Sequence, residues 1–386
     1  MIRVTAAGGV VVVVALLSGV ANGKPAKWTT KLDSGAEYDT NIHRLELPEG
    51  EQVDGAPLVR TTAEITSSWQ RAKNERFRFV GIAMSKLFAT GIGQSENIAV
   101  MDGDATYSWA VSKRGGLLSL NGSYYDAFGY DVVGDTMLVS RNFSIGNAEA
   151  RWVAVGPKGH RLTLHGGVRR FVYKPDADFN WLGDHYGLRF ETTLWRGDPD
   201  KELDAASVDV SVAYRAERRS YAEGKAFANS CPHDDNADFE CFTPTDTGRA
   251  DLNHQAAVDV AYNTGSRIWS ARYELVVNSS NSFGQNLARQ RLELGLTAEV
   301  GKRISLSASV ALLYNVFLDP LLLGGRSLET RIDEENRNSL SLMIARKLTK
   351  KWSIEARYNF YTNEFATREL HFRRHTVYSG LSYSSN

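Results

Sequence analysis

Along most of the chain, apolar and polar side chains alternate. Near its start Trp28, Thr30, Leu32, Ala36 and Tyr38 fall on one face of an extended strand, and Lys31, Asp33, Glu37 and Asp39 on the other. The next run sets Val59, Thr61, Ala63, Ile65 and Trp69 against Arg60, Thr62, Glu64, Thr66 and Gln70, then closes in a short turn at 72–75. Further runs start near Arg76, Ile98, Leu117, Asp135, His160, His185, Ala206, Leu252, Ile268, Leu287, Ile304, Arg337, Trp352 and Arg373, which predicts sixteen strands in all. Short connections near 113–116, 156–159, 263–267, 301–303 and 349–351, and a somewhat longer one at 196–204, alternate with long hydrophilic stretches. Those stretches lie at 42–58, 90–97, 128–134, 174–183, 222–251, 279–286, 318–336 and 361–372. No part of the chain after its first 23 residues keeps the i, i+3, i+4 apolar spacing of a helix.

An even number of strands with short turns on one rim and long loops on the other is the layout of a bacterial transmembrane barrel. Lipid cannot satisfy backbone N–H and C=O groups, so an extended chain crosses a bilayer only when its sheet closes without an edge. Each strand with its share of connection has about 23 residues available, against the ~9–11 needed to span. A β-helix would repeat at a shorter and more constant interval. A soluble sandwich would hold its tryptophans mid-strand, whereas Trp28, Trp69, Trp109, Trp152, Trp269 and Trp352, six of the eight, stand at turn-proximal strand ends. Tyr38, Tyr124, Tyr273 and Tyr314 fall toward the loop side, as paired aromatic girdles require. The predicted fold is therefore all-β: a transmembrane antiparallel up-and-down β-barrel of about sixteen strands in the bacterial outer membrane, with both ends at the periplasmic side.

Ahead of the first strand, Arg3 precedes an apolar run from Ala6 to Val20, followed by the small residues Ala21 and Gly23. That is the pattern of a cleaved signal peptide, giving a leader over 1–23 and a barrel over 24–386. No cysteine follows the run, so no lipid attachment is predicted. Lys+Arg and Asp+Glu are each 45, and this balance gives no reason to expect a nucleic acid partner. The expected partners are outer-membrane lipids and lipopolysaccharide.

On the predicted inward face, opposite charges recur two residues apart: Arg189 with Glu191, Arg215 with Glu217 and then Arg219, Arg272 with Glu274, Arg289 and Arg291 with Glu293, and Glu355 with Arg357. Residues two apart on a strand share a face. Such pairs either line a hydrophilic pore or cross-link the wall, and the two roles are compatible. Cys231 and Cys241, the only cysteines, share one hydrophilic segment of an exported chain and are expected to form a disulfide. Asp234, Asn236, Asp238 and Glu240 between them are spaced like calcium ligands, but Phe239 and Thr245 occupy the places of the required glycine and acid. Eight scattered histidines form no HExxH, and no G-x-S-x-G occurs. No metal site, catalytic residue or cofactor is predicted, and the chain is not expected to be an enzyme.

Residues 34–42, Ser-Gly-Ala-Glu-Tyr-Asp-Thr-Asn-Ile, resemble the Gly-Tyr-Asp-Ser-Asn-Val opening of outer-membrane barrels in export systems. Those include the barrels of exopolysaccharide-secretion porins and of surface lipoprotein assembly modifiers. The resemblance implies a conduit for a surface polysaccharide, with a glycan polymer and separate periplasmic export proteins as further partners. Two features depart from it: no helical-repeat periplasmic domain precedes the strands, and the last residue is Asn386, with Tyr383 the nearest aromatic. The functional expectation is a porin-like outer-membrane channel, and the alternative is a non-conducting structural barrel of an envelope complex.

Overall fold

A computed structural model describes residues 27–42, 53–89, 96–111, 116–129, 142–174, 177–197, 206–230, 242–318, 338–362 and 372–385. The leader at 1–23, Cys231 and Cys241 lie outside the described residues. In chain order the strands are β1 (Lys27–Asp39), β2 (Ala56–Ala72), β3 (Glu75–Phe88), β4 (Ile98–Ala110), β5 (Leu117–Gly129), β6 (Phe143–Val155), β7 (Arg161–Tyr173) and β8 (Trp181–Arg196). They continue with β9 (Ser207–Asn229), β10 (Phe242–Asn263), β11 (Arg267–Ser280), β12 (Leu287–Val300), β13 (Ile304–Phe317), β14 (Asn338–Lys347), β15 (Trp352–Thr362) and β16 (Arg373–Ser384). Each strand pairs with its sequence neighbours, and antiparallel pairing of β16 with β1 closes the sixteen-stranded barrel.

The alternation in sequence becomes an inside and an outside. Leu32, Val59, Leu120, Val168, Leu188, Val212, Leu294, Ile344 and Val377 are all exposed on the outer surface. Apolar exposure on this scale around a closed wall is incompatible with water and suits a hydrocarbon surround. Trp28, Trp152, Trp269 and Trp352 are exposed at the short-turn rim, joined there by Trp195. Trp69 and Trp109 are half-buried on the same rim, Trp69 stacked on Phe77 with centroids 4.1 Å apart. Tyr38, Tyr124, Tyr273 and Tyr314 are exposed toward the other side. The turns are tight where glycine permits: Gly265 (φ 79°) and Gly301 (φ 67°) adopt the left-handed conformation, and the Gly265 N–H donates to Asn263 Oδ1 at 2.8 Å.

Two predicted boundaries are corrected. β8 starts at Trp181, inside the loop expected at 174–183, because Trp181 pairs with Phe171 and its ring stacks on it at 5.9 Å. The loop expected at 222–251 is largely strand: β9 runs on to Asn229 and β10 begins at Phe242, with register shifts between Pro244 and Gly248 and between Gly248 and Ala250. Tyr221 donates to Asp251 at 3.0 Å, and the Arg249 guanidinium sits 4.2 Å above the Tyr221 ring at the root of this ribbon. β6 starts at Phe143, while the start expected near Asp135 lies outside the described residues.

The segment that resembles export barrels serves closure. Gly35 lies against Gly380 across the β1–β16 seam, where an added Cβ would meet Ser379 O at 2.2 Å. The Tyr378 ring covers Gly380, and its hydroxyl donates to Asp33. Glu37 pairs with Arg60 (3.3 Å) and Lys86 (3.5 Å), and the buried Asp39 pairs with Arg374. Within the segment, Gly35 and Asp39 thus serve the seam, and Glu37 ties β1 to β2 and β3.

Candidate functional site: the inner wall

Strand register sets the inward residues side by side. On β8 to β12, Arg189 faces Ala213, Ser211 faces Asp259, Asp259 faces Arg272, and Arg272 faces Glu293. All five predicted pairs lie on the face opposite the exposed apolar set, and all are in contact. Arg189 Nε donates to Glu191 (3.1 Å), Arg215 Nη2 to Glu217 (2.6 Å) and Arg272 Nη2 to Glu274 (2.7 Å). Arg291 meets Glu293 at 2.5 Å, and Arg357 Nη2 donates to Glu355 at 2.8 Å.

Several partners come from other strands and were not anticipated. Asp259 accepts from Arg272 Nη1 at 3.0 Å and lies 3.6 Å from Arg189 Nη2, so it bridges β8 and β11. Its signal was a lone carboxylate at an inward position between Val258 and Val260. Glu217, buried, is met by Arg215, by Arg219 (2.8 Å) and by Arg169 of β7 (3.4 Å). Three cations around one carboxylate leave this patch net positive. Arg289 donates to Asn315 on β13 at 2.9 Å. The charged ladder therefore knits the wall, yet Arg189 and Arg272 remain 40% and 34% exposed. Partly exposed pairs of this kind add little stability, because water screens them.

Beside the ladder the wall changes character. On β13 and β14 the inward side chains are mostly small: Ser309 faces Ser341 and Ala311 faces Ser339, while Ser305 faces Ala345 and Ser307 faces Met343. Short side chains leave volume, and a cavity of about 460 Å³ opens here, lined by Ser270, Thr297, Ser307, Ser309, Ser341 and Asn359 and, from β2, by Arg60. A second departure lies on β4 to β7, where Ile98, Val100, Ala127, Phe143 and Tyr173 pack into an apolar cluster with Met84, Tyr125 and Phe171. Strand pairing places these on the inward face. Here the inward side chains bury one another instead of meeting water.

No protein-family profile matches the chain, and no curated protein matches it. Among solved structures, OmpF of Salmonella typhi in complex with daunomycin is similar, at 12% identity over 94% of this chain and 98% of that one, with a TM-score of 0.52. OmpT of Vibrio cholerae in its trimer form is matched at 11% identity over 94% and 100% (TM-score 0.46). An anion-selective porin from Comamonas acidovorans is matched at 10% over 93% and 99% (TM-score 0.46). The closed sixteen-stranded wall, its apolar exterior and the likeness to OmpF define an outer-membrane β-barrel of porin-like fold. These likenesses show the barrel fold and not the polysaccharide-export kind implied by residues 34–42.

One expectation is corrected. The chain was expected not to be an enzyme, and that expectation rested on the absence of short catalytic motifs. One barrel architecture serves unrelated functions, so a missing short motif does not exclude chemistry on this wall.

Proposed function

We propose that the protein is a passive, porin-like channel through which hydrophilic solutes cross the outer membrane. The observation that carries this reading is the cavity against β13 and β14, whose lining mixes Ser307, Ser309, Ser341, Arg60 and Arg357 with apolar residues such as Leu296 and Met343. A barrel of sixteen strands is too wide for inward side chains to fill. Where those side chains are serines, polar volume remains for water and solute. In this reading Arg189, Glu191, Arg215, Glu217, Arg272, Glu274, Arg291, Glu293, Glu355 and Arg357 line the pore. Their guanidiniums are already paired, so a passing solute exchanges hydrogen bonds without being held tightly, and multiple loose sites favour passage.

The narrower version, export of a surface polysaccharide with separate periplasmic proteins, rested on residues 34–42. Gly35, Glu37 and Asp39 of that segment have structural contacts in the wall that need no cargo, so the general solute channel is preferred. Liposome swelling tests it. Vesicles carrying the barrel should swell in small sugars, and Ser309→Phe with Ser341→Phe should slow the larger sugars most. Swelling that is absent from the folded parent, or unaffected by the bulky variants, would favour a plugged structural barrel.

A further inference from the structure

Glu149 of β6, His165 of β7 and His185 of β8 aim their polar atoms at one point on the inner wall. Glu149 Oε2 lies 3.0 Å from His165 Nδ1 and 2.9 Å from His185 Nε2, and the three atoms all lie within 4.8 Å of one another. Register explains the convergence. Gly167 is the pairing partner of both Glu149 and His185, so these two side chains flank a position with no side chain of its own. A Cβ at Gly167 would meet Ala148 O at 2.2 Å, and one at Gly187 would meet His165 Nε2 at 2.5 Å. Gly187 thus leaves room for the His165 ring, and Gly167 lets the backbones of β6 and β7 approach closely between Glu149 and His185.

The group is built and buried. The side chains of Glu149 and His185 are 6% and 0% exposed, and that of His165, the most open, is 17% exposed. Arg151 donates to Glu149 Oε1, which turns Oε2 toward both histidines. His185 presents Nε2 to the cluster, while its other ring nitrogen, Nδ1, is buried with no hydrogen-bond partner among the described residues. Two imidazole nitrogens and one carboxylate oxygen on one side of a point are a donor set for a borderline divalent ion, with further coordination positions left for water.

We propose that Glu149, His165 and His185 form a binding site for a borderline divalent cation, with Zn²⁺ the best fit to the donors. The three positions lie on separate strands 16 and 36 residues from Glu149, so motif searches over short stretches do not sample this arrangement. The site is independent of whether the barrel conducts. Its surroundings set the affinity: Arg151 contacts Glu149, and Arg215 interacts electrostatically with it, so both oppose a bound cation. Arg169 and Arg219 are paired with Glu217. The account therefore fixes a sign, since removing the Arg215 charge should tighten binding.

The test uses the full-length barrel, folded in detergent and stripped with chelator. Zn²⁺ is titrated by calorimetry and Co²⁺ by visible absorption, with folding of every variant checked by circular dichroism and heat-modifiable migration. The parent should bind one equivalent of Zn²⁺. His165→Ala, His185→Gln and Glu149→Gln should each weaken it by at least about tenfold, Arg215→Gln should strengthen it, and His254→Gln, bonded to Tyr214 elsewhere, should not change it. Glu149→Gln keeps the shape of the site, so it covers the case in which a histidine variant fails to fold. A folded parent that binds neither ion, or binding that survives His165→Ala with His185→Gln, would overturn the proposal.

Discussion

Arg374 Nε donates to Asp39 Oδ1 at 2.8 Å, joining the last strand to the first across 335 residues of chain. Both side chains are almost fully buried, and Asp39 also accepts from the Asn41 N–H at 3.0 Å. Removing one partner leaves a buried charge without compensation, which costs about 3–5 kcal/mol, whereas removing both costs less. Asp39→Ala and Arg374→Ala should each lower the urea midpoint of the refolded barrel, and Asp39→Leu with Arg374→Met should recover much of the loss. Single variants as stable as the parent would show that this pair does not secure the seam.

Leu294 points outward and is exposed, while its neighbour Glu293 points inward. A charge at Leu294 would face hydrocarbon. Leu294→Arg should destabilise the barrel by about 2–4 kcal/mol in lipid, whereas Glu293→Gln should be milder because its environment is already polar. Equilibrium unfolding from vesicles measures both, and equal losses would invert the assignment of faces.

The turn at Gly301 and the segment joining β9 to β10 lie at opposite rims, since β12 and β13 meet at the short-turn rim that Trp269 marks. An epitope inserted at Lys302 should be hidden from antibody in intact cells, and one at Asn236 should be accessible. Surface labelling at Lys302 would reverse the orientation.

How much of this was legible in the sequence depended on the solvent each residue meets. On β13 the order Leu306, Ser307, Ala308, Ser309, Val310 states both faces outright, because lipid demands apolar side chains on one and the lumen tolerates serine on the other. Arg215 and Glu217 were legible as a pair because neighbours two apart on a strand share a face. The ribbon of β9 and β10 beyond Tyr221 was not: backbone pairing outside the membrane needs no apolar face, so Ala222, Glu223, Gly224 and Lys225 carry no alternation. Trp181 was hidden for a related reason, since it turns inward under the Arg219 guanidinium, 4.7 Å from its ring, instead of joining a girdle. Contacts such as Arg189 with Asp259, or His185 with Glu149, depend on the register of several strands, which no local spacing reveals.

If the lumen carries a continuous hydrophilic path, as proposed, the purified barrel conducts ions across a planar bilayer. The account predicts discrete, ohmic steps in potassium chloride. Replacing Arg189, Arg215, Arg272, Arg291 and Arg357 with glutamate should shift the reversal potential under a salt gradient toward cation selectivity, because rings of charged side chains govern which ion passes. Folded, membrane-inserted protein that gives no steps, or steps whose selectivity ignores all five substitutions, would contradict it.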